Sequence, residues 1–241
     1  MAYTNNTMLI EASELFEKLE LVNTIIIDCD ISDVFQRAHI KNAKTLPTHH
    51  YIKQKGFDKD PKNNPHIMGK NDFQKLITDL NITQNSEIIA YDNSASLYAT
   101  RFWWCLNYYG IKNIKVLNGG WKNWISENYP IDSGFNYPFS TKNYNSNSQK
   151  TDIKVSENNS YICKITDMKN APNTILFDTR SEGEFNGTNS RGNVRSGHMP
   201  GAIHIEWLEF MNDNHNFKSE TEIKNILDAK NITHEKEIKT Y

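Results

Sequence analysis

From Glu87 to Trp124 the chain reads EIIAYDNSASLYATRFWWCLNYYGIKNIKVLNGGWKNW, a strand, a polar loop, an apolar helix, a second strand and a Gly-Gly-Trp turn in unbroken succession. Ile88, Ile89 and Ala90 form a short apolar run that stops at Asp92, the pattern of a strand buried on both faces of a parallel sheet. Asn93 to Ser96 are small or turn-forming. From Leu97 the residues Phe102, Trp103, Leu106 and Tyr109 recur at helical spacing. A loop held at a helix N-terminus follows from this order. The first N–H groups of such a helix have no internal partner, so the place suits an anion or a thiolate. Asp92 occupies it here and reads as a helix cap.

Two units follow from length and from an internal repeat. At 241 residues the chain is long for one domain, while two of about 100–130 residues can each bury a core. Thr24–Asp28 (TIIID) is a strand followed by a helix near Asp33–Ala38 and by His39-Ile40-Lys41-Asn42-Ala43. Thr174–Asp178 (TILFD) is a second strand, followed after a longer polar loop by His198-Met199-Pro200-Gly201-Ala202. Further helices are expected at Glu11–Leu19 and Asn71–Leu80. Residues 131–160, crowded with Asn, Ser, Tyr and Lys, read as a linker, which gives domains 1–148 and 149–241 with a boundary near Gln149. Asp92 lies 64 residues after Asp28, and the same step from Asp178 reaches position 242, so Glu235–Tyr241 matches the strand that enters the loop. Unequal lengths of the intervening loops make that agreement partly accidental, and a one-residue shift places Tyr241 itself at the loop position.

Composition excludes several classes. A net charge of −2 and a pI near 6.4 give no basic surplus for nucleic acid or anionic membrane. The start, MAYTNNTMLIEASEL, lacks the basic and apolar regions of a signal peptide, and no run approaches a membrane span, so a cytoplasmic protein is expected, with an organellar site left open. Cys29, Cys105 and Cys163 are too scattered for disulfides or paired-Cys zinc. Cys105 reads as core, Cys163 as lying near a helix start, and Cys29, at a strand end, as structural. His49, His50 and His66 do not have zinc spacing, Gly119-Gly120 lacks the Lys-Ser or Lys-Thr of a phosphate loop, and Trp103, Trp104, Trp121 and Trp124 read as packing.

The blocks YDNSASLYATRFWW and VLNGGWKNW, with HMPGA, closely resemble the two-domain rhodaneses, the thiosulfate and 3-mercaptopyruvate sulfurtransferases, over about Leu9–Tyr241. The resemblance implies an α/β chain of two tandem rhodanese-like domains, each a mainly parallel sheet flanked by helices. In that family the first domain is a silent copy whose loop commonly has Asp where the second has a sulfur-carrying Cys. Asp92 fits the silent loop, HIKNA is a degraded form of the HMPGA signature, and the second domain is incomplete, its catalytic Cys expected just beyond Tyr241. Chain 1–241 is therefore expected to be inactive. A low-pKa Cys in such a loop is the nucleophile of sulfur transfer.

By the same resemblance Arg180 is a substrate-binding cation and Arg191 a second one, arginine suiting a carboxylate or thiosulfate through its fork. From the residues alone, a salt bridge from Arg180 to Glu184 is equally open. Asp178 is expected to order its loop through backbone hydrogen bonds, as Asp28 does, and His198 to be a buried imidazole tied to backbone. Arg195 reads as surface. No metal or cofactor is implied. The expected partners are a small anionic sulfur donor and a thiol or cyanide acceptor, met by a monomer. The other readings are a non-catalytic binding module and a defective gene fragment.

Overall fold

A computed structural model describes residues 6–48, 52–53, 67–134, 151–164 and 174–241. His49, His50, His66 and the boundary near Gln149 lie outside the described residues. The chain divides into two compact units, Asn5–Asn159 with Asn214–Asn216, and Ser160–Asp213 with Phe217–Tyr241.

In the first unit a parallel sheet has the order β1 (Leu9–Ile10), β6 (Ile114–Leu117), β5 (Glu87–Tyr91), β2 (Thr24–Asp28), β4 (Lys44–Thr45). The central strand β5 has Ile88, Ile89 and Ala90 fully buried, which is why it reads as a continuous apolar run. Helices α1 (Ala12–Lys18), α2 (Ser32–Arg37), α3 (Lys70–Asp79), α4 (Leu97–Tyr108) and α5 (Gly120–Ser126) alternate with the strands. Ile10, Leu15, Ile26, Phe35, Ile89, Leu117 and Trp124 form one core cluster, each large side chain contributing on the order of 2 kcal/mol. Trp124 is fully buried and donates Nε1–H to Pro130 O at 3.0 Å.

The expected linker is partly structured. Ile131–Asp132 forms β7, antiparallel to β3 (His39–Ile40). Residues 151–158 run along the first unit: Gln74 Nε2 donates to Ile153 O at 3.0 Å, Val155 N to Gln74 Oε1 at 3.0 Å and Asn158 N to Tyr108 O at 2.8 Å. Their polar composition hid this, because the pairing runs through backbone atoms and the polar side chains of Gln74, Thr151 and Asp152. Cys163 follows a 3₁₀ turn at Asn159–Tyr161, and any helix after Lys164 lies outside the described residues.

The second unit has a parallel sheet of order β10 (Glu237–Thr240), β8 (Thr174–Asp178), β9 (Ile203–His204), with α6 (Glu182–Asn186) and α7 (Glu220–Asp228). Helix α7 opens with a capping box in which Ser219 N donates to Glu222 Oε2 at 2.9 Å and Glu222 N to Ser219 Oγ at 3.3 Å. Ile175, Phe177, Ile205 and Ile232 form its core cluster.

The sheets share a register. Thr24 pairs with Glu87 and Asp28 with Tyr91; Thr174 pairs with Glu237 and Phe177 with Thr240. An offset of 150 residues, Thr24 to Thr174 and Glu87 to Glu237, therefore carries one strand pair onto the other. It also carries Asn81 onto Asn231, left-handed at φ 56° and 55°. The step from Asp178 to 242 is thus no accident: the second unit's longer loop before His198 is offset by a shorter stretch before α7. Tyr241 lies at the place of Tyr91, which removes the alternative with Tyr241 at the loop position.

Candidate functional site

The first unit's loop begins where β5 ends. Asp92 is 1% exposed, and its carboxylate accepts four backbone N–H bonds: Ser94 (2.8 Å) and Ser96 (2.9 Å) on Oδ1, Tyr98 and Ala99 (both 2.8 Å) on Oδ2. Tyr98 and Ala99 are in the first turn of α4, so Asp92 caps that helix from outside it. Ala95 and Ser96 sit at φ 52° and 69°, each costing about 1–2 kcal/mol, and the loop bears this because the carboxylate collects its N–H groups. The Gly-Gly-Trp turn closes the other side. Trp121 N donates to Asp92 O at 2.9 Å, and a Cβ on Gly120 would collide with that same carbonyl oxygen.

Three carboxylates meet here. Asp28 Oδ1 accepts from Asp30 N at 2.9 Å, and Asp30 Oδ2 accepts from Asn93 N at 2.7 Å. Burial pushes Asp28 up to about 7 and Asp30 up to about 6, and it raises Asp92 against the pull of its four N–H donors. Cys29, between the first two, is 1% exposed and its thiol is pushed well up by burial, so it is inert. Cys105 is buried and pushed up to about 12 for the same reason.

The second unit repeats the frame with different charges. Asp178, fully buried, accepts from Arg180 N at 3.0 Å, as Asp28 does from Asp30 N. Arg180 therefore stands at the place of Asp30. Its Nε and Nη2 donate to Asp178 Oδ1 and Oδ2 at 3.0 and 2.6 Å, and Nη2 also donates to Gly197 O at 3.0 Å. The salt bridge open in the sequence is thus made to Asp178. Glu184 pairs with Arg191 Nε at 3.3 Å, the Arg191 side chain being about two-thirds exposed. Burial pushes Asp178 up, but its bonds with Arg180 win and leave it below the ordinary carboxylate value.

His198 differs from expectation. Its Nδ1 does face Phe185 O at 2.9 Å, as His39 Nδ1 faces Phe35 O at 2.8 Å, and both rings stack on the phenylalanine. His39 is fully buried under the β3–β7 pair, whereas His198 is exposed, with no antiparallel partner strand beside it among the described residues. HIKNA keeps the turn of HMPGA: Ala43 N donates to Ile40 O at 2.9 Å and Ala202 N to Met199 O at 3.0 Å, with Asn42 at φ 66° where Gly201 has 82°. Sequence reasoning missed Tyr241. Its hydroxyl accepts from Met199 N at 2.9 Å and faces Asp178, lowering that carboxyl's pKa, as Tyr91 accepts from Ile40 N at 3.0 Å and faces Asp28 with the same effect. The signal was there, in Asn-Ile-Thr-x3-Glu-Ile-x2-Tyr repeated at Asn81 and Asn231. Among the described residues no His, Cys, Asp and Glu cluster is arranged for a metal, and no helix is long and apolar enough to cross a membrane.

A parallel sheet delivers an anion-holding loop to a helix N-terminus, and known proteins resemble this arrangement in sequence and in fold. Residues 11–127 match the family model of the rhodanese-like domain. The chain is similar in sequence to rhodanese-type sulfurtransferases and to a sulfur carrier protein. It is 26% identical to the thiosulfate sulfurtransferase of Gallus gallus over 162 residues, 66% of this chain and 54% of that protein. It is 27% identical over 253 residues to the sulfur carrier protein TtuD of Thermus thermophilus, covering all of this chain and 84% of the relative. The match thus spans about half the length of the avian enzyme. In fold it resembles SseA of Escherichia coli, described among 3-mercaptopyruvate sulfotransferases, with TM-score 0.79 at 20% identity over 97% of this chain and 87% of that one.

Proposed function

We propose that this chain is the scaffold of a two-domain sulfurtransferase, with 1–148 a non-catalytic rhodanese-like domain and 149–241 part of the catalytic one. The observation that carries the reading is the exchange of charge at one equivalent position, Asp30 in the first unit and Arg180 in the second. Asp30 takes the first N–H of its loop and Asp92 takes four more, so the first unit's cradle is filled by its own carboxylates and has no place for an external anion. Arg180 at the same place favours one.

In a polypeptide that continues past Tyr241, the next residue takes the place of Asp92. A cysteine there is the sulfur carrier. Its thiolate attacks the sulfane sulfur of thiosulfate, a new S–S bond forms, the donor's S–S bond breaks, and its electron pair leaves with sulfite. Cyanide or a thiolate then takes the outer sulfur and returns the thiolate. With Asp178 on one edge of its guanidinium, Arg180 retains Nη1 for the donor, since Nη1 has no hydrogen-bond partner among the described residues. Arg191 is the second donor-binding cation. Its side chain is about two-thirds exposed, so the bond to the more buried Glu184 is worth under about 1 kcal/mol and can be exchanged for a substrate contact.

The test is to read the coding sequence past Tyr241, weigh the native protein, and assay it for thiocyanate from cyanide with thiosulfate or 3-mercaptopyruvate. The expected result is activity in a protein carrying Cys at 242, with KM for the donor raised about tenfold in Arg180→Ala, a loss of about 1.4 kcal/mol of binding. A polypeptide of residues 1–241 is expected to form no persulfide, because Cys29 and Cys105 are buried and Cys163 has no such cradle among the described residues. Turnover by that polypeptide, or an Arg180→Ala enzyme with unchanged KM, overturns the proposal. Thiosulfate binding without thiocyanate formation in the native protein would favour the binding-module reading.

A further inference from the structure

We infer that Tyr241 is a positioning residue for Arg180, its hydroxyl and its ring together fixing the direction of the guanidinium. Four contacts carry this. The hydroxyl accepts the Met199 N–H at 2.9 Å, anchoring the phenol to the His198–Ala202 turn. It also faces Asp178, the carboxylate that grips Arg180 Nε and Nη2, and helps to hold that carboxyl ionised. The Arg180 guanidinium carbon lies 5.2 Å from the centre of the Tyr241 ring, within range for a cation on an aromatic face. Tyr241 N donates to Phe177 O at 3.3 Å, tying the same residue into the sheet beside Asp178.

The first unit separates this role from a merely structural one. Tyr91 has the same hydroxyl surroundings, bonded by Ile40 N–H and facing Asp28, but the residue beyond is Asp30, which has no guanidinium to place on the ring. The hydroxyl clamp is thus common to both units, and only in the second does it act on a cation. The guanidinium is held on three sides, by Asp178, Gly197 O and the Tyr241 ring. Loosening the ring and Asp178 together frees the whole fork to turn. The consequence for anion binding rests on the reading of Arg180 given above; the consequence for Arg180 itself does not.

The chain has five arginines, so ¹H–¹⁵N spectra of the Nε–H groups resolve them, and Arg180→Lys assigns the one of interest. In the 1–241 polypeptide the Arg180 Nε–H signal is expected to be sharp and protected from exchange. Tyr241→Phe removes the hydroxyl and keeps the ring; Tyr241→Leu removes both. We expect Arg180 Nε–H exchange to rise severalfold in the first and to reach the rate of an exposed arginine in the second, while Tyr91→Phe leaves it unchanged. Thiosulfate affinity, titrated in the same samples, is expected to weaken about three- to tenfold in Tyr241→Phe, the worth of one hydrogen bond. An unchanged Arg180 signal in Tyr241→Phe, or an equal change in Tyr91→Phe, overturns the inference. If wild-type protein shows no thiosulfate binding while the Arg180 signal responds to Tyr241 alone, the positioning role stands and the donor-binding reading of Arg180 falls.

Discussion

At Asp28 and at Asp178 the same frame recurs: a strand-end carboxylate bonded to the N–H two residues on, a tyrosine hydroxyl from the neighbouring strand, and a histidine stacked on phenylalanine behind it. Two residues on, the first unit has a carboxylate and the second a guanidinium. The first is finished within itself, its loop N–H groups taken by Asp30 and Asp92 and its core closed around Trp124. In the second, β10 is an edge strand among the described residues, with Ile238 42% exposed against the fully buried Ile88 at the matching place. Frame and charge are therefore separable. One sets where a loop can start, the other what that loop can hold.

The comparison breaks most visibly at Asp92. Replacing it with Ala leaves four N–H groups in a buried loop without an acceptor and two residues in left-handed conformations without support. The first unit is expected to lose about 3 kcal/mol, less than the sum of four orphaned donors because the cost of burying the carboxylate is recovered. Denaturant unfolding followed by tryptophan fluorescence reads this unit, since four of the five tryptophans, Trp103, Trp104, Trp121 and Trp124, belong to it. A loss below 1 kcal/mol would mean that the loop holds its shape without the anion.

Arg180→Ala probes the second unit in the same way. It leaves Asp178 fully buried without its cation, with an expected loss of about 2 kcal/mol, less than breaking a fully buried pair costs because Arg180 is itself partly solvated. Asp30→Ala should cost less, since it relieves a crowded carboxylate and orphans only Asn93 N–H. Hydrogen exchange at the amides of β8 and β2 separates the two effects. Equal losses would undo the distinction of charge.

How much of this could be read from the sequence depended on what signal each part leaves. The buried strands Thr24–Asp28 and Glu87–Tyr91 announce themselves by apolar runs, and the loop at Asp92 by the turn residues before an apolar helix. The repeat was legible in TIIID against TILFD and HIKNA against HMPGA. Its register was legible only by counting, and the count looked accidental because two length differences compensate. The bonds of residues 151–158 left no trace, being made by polar side chains and backbone atoms that carry no apolar period. The partners of Arg180 were equally hidden, because Asp178 and Glu184 are both near it in sequence and only the strand-end geometry chooses Asp178. The exposure of His198 depends on a neighbouring strand, which a local motif does not report.

The two units should also respond to pH in opposite senses. Asp28 and Asp30 titrate near 7 and 6 in the folded first unit and near 3.8 when unfolded, so the folded form holds protons more tightly. The stability this confers is complete below pH 3.8 and is lost as pH rises through 6 to 7; acidifying from pH 8 to 5 should stabilise the first unit, by at most about 4 kcal/mol. Asp178 is held below its ordinary value, so its contribution is present above about pH 3.8 and lost as pH falls through the lower folded value. Amide exchange in β2 and β8 across pH 4 to 8, corrected for intrinsic rates, measures both. Parallel profiles would show that the acidic cluster and the Asp178–Arg180 pair are not electrostatically distinct.

The smallest expected effect lies in the turn that both units share. Asn42 and Gly201 are both left-handed, at φ 66° and 82°, but only the asparagine carries a Cβ there. Gly201→Ala should cost the second unit about 1 kcal/mol, because an alanine pays the left-handed penalty that glycine escapes. Asn42→Gly is more finely balanced. It removes strain of the same size, but it also removes the bond from Asn42 Nδ2 to Leu19 O at 3.1 Å and adds the backbone freedom of glycine to the unfolded chain. The one gain and the two losses nearly cancel, and the expected change is within about 0.5 kcal/mol. A clear stabilisation by Asn42→Gly would mean that the side-chain bond contributes nothing and that HIKNA is a worn form of the glycine turn. A clear loss would mean that the asparagine is a working substitute, its amide holding the turn to helix α1 in place of a glycine's freedom.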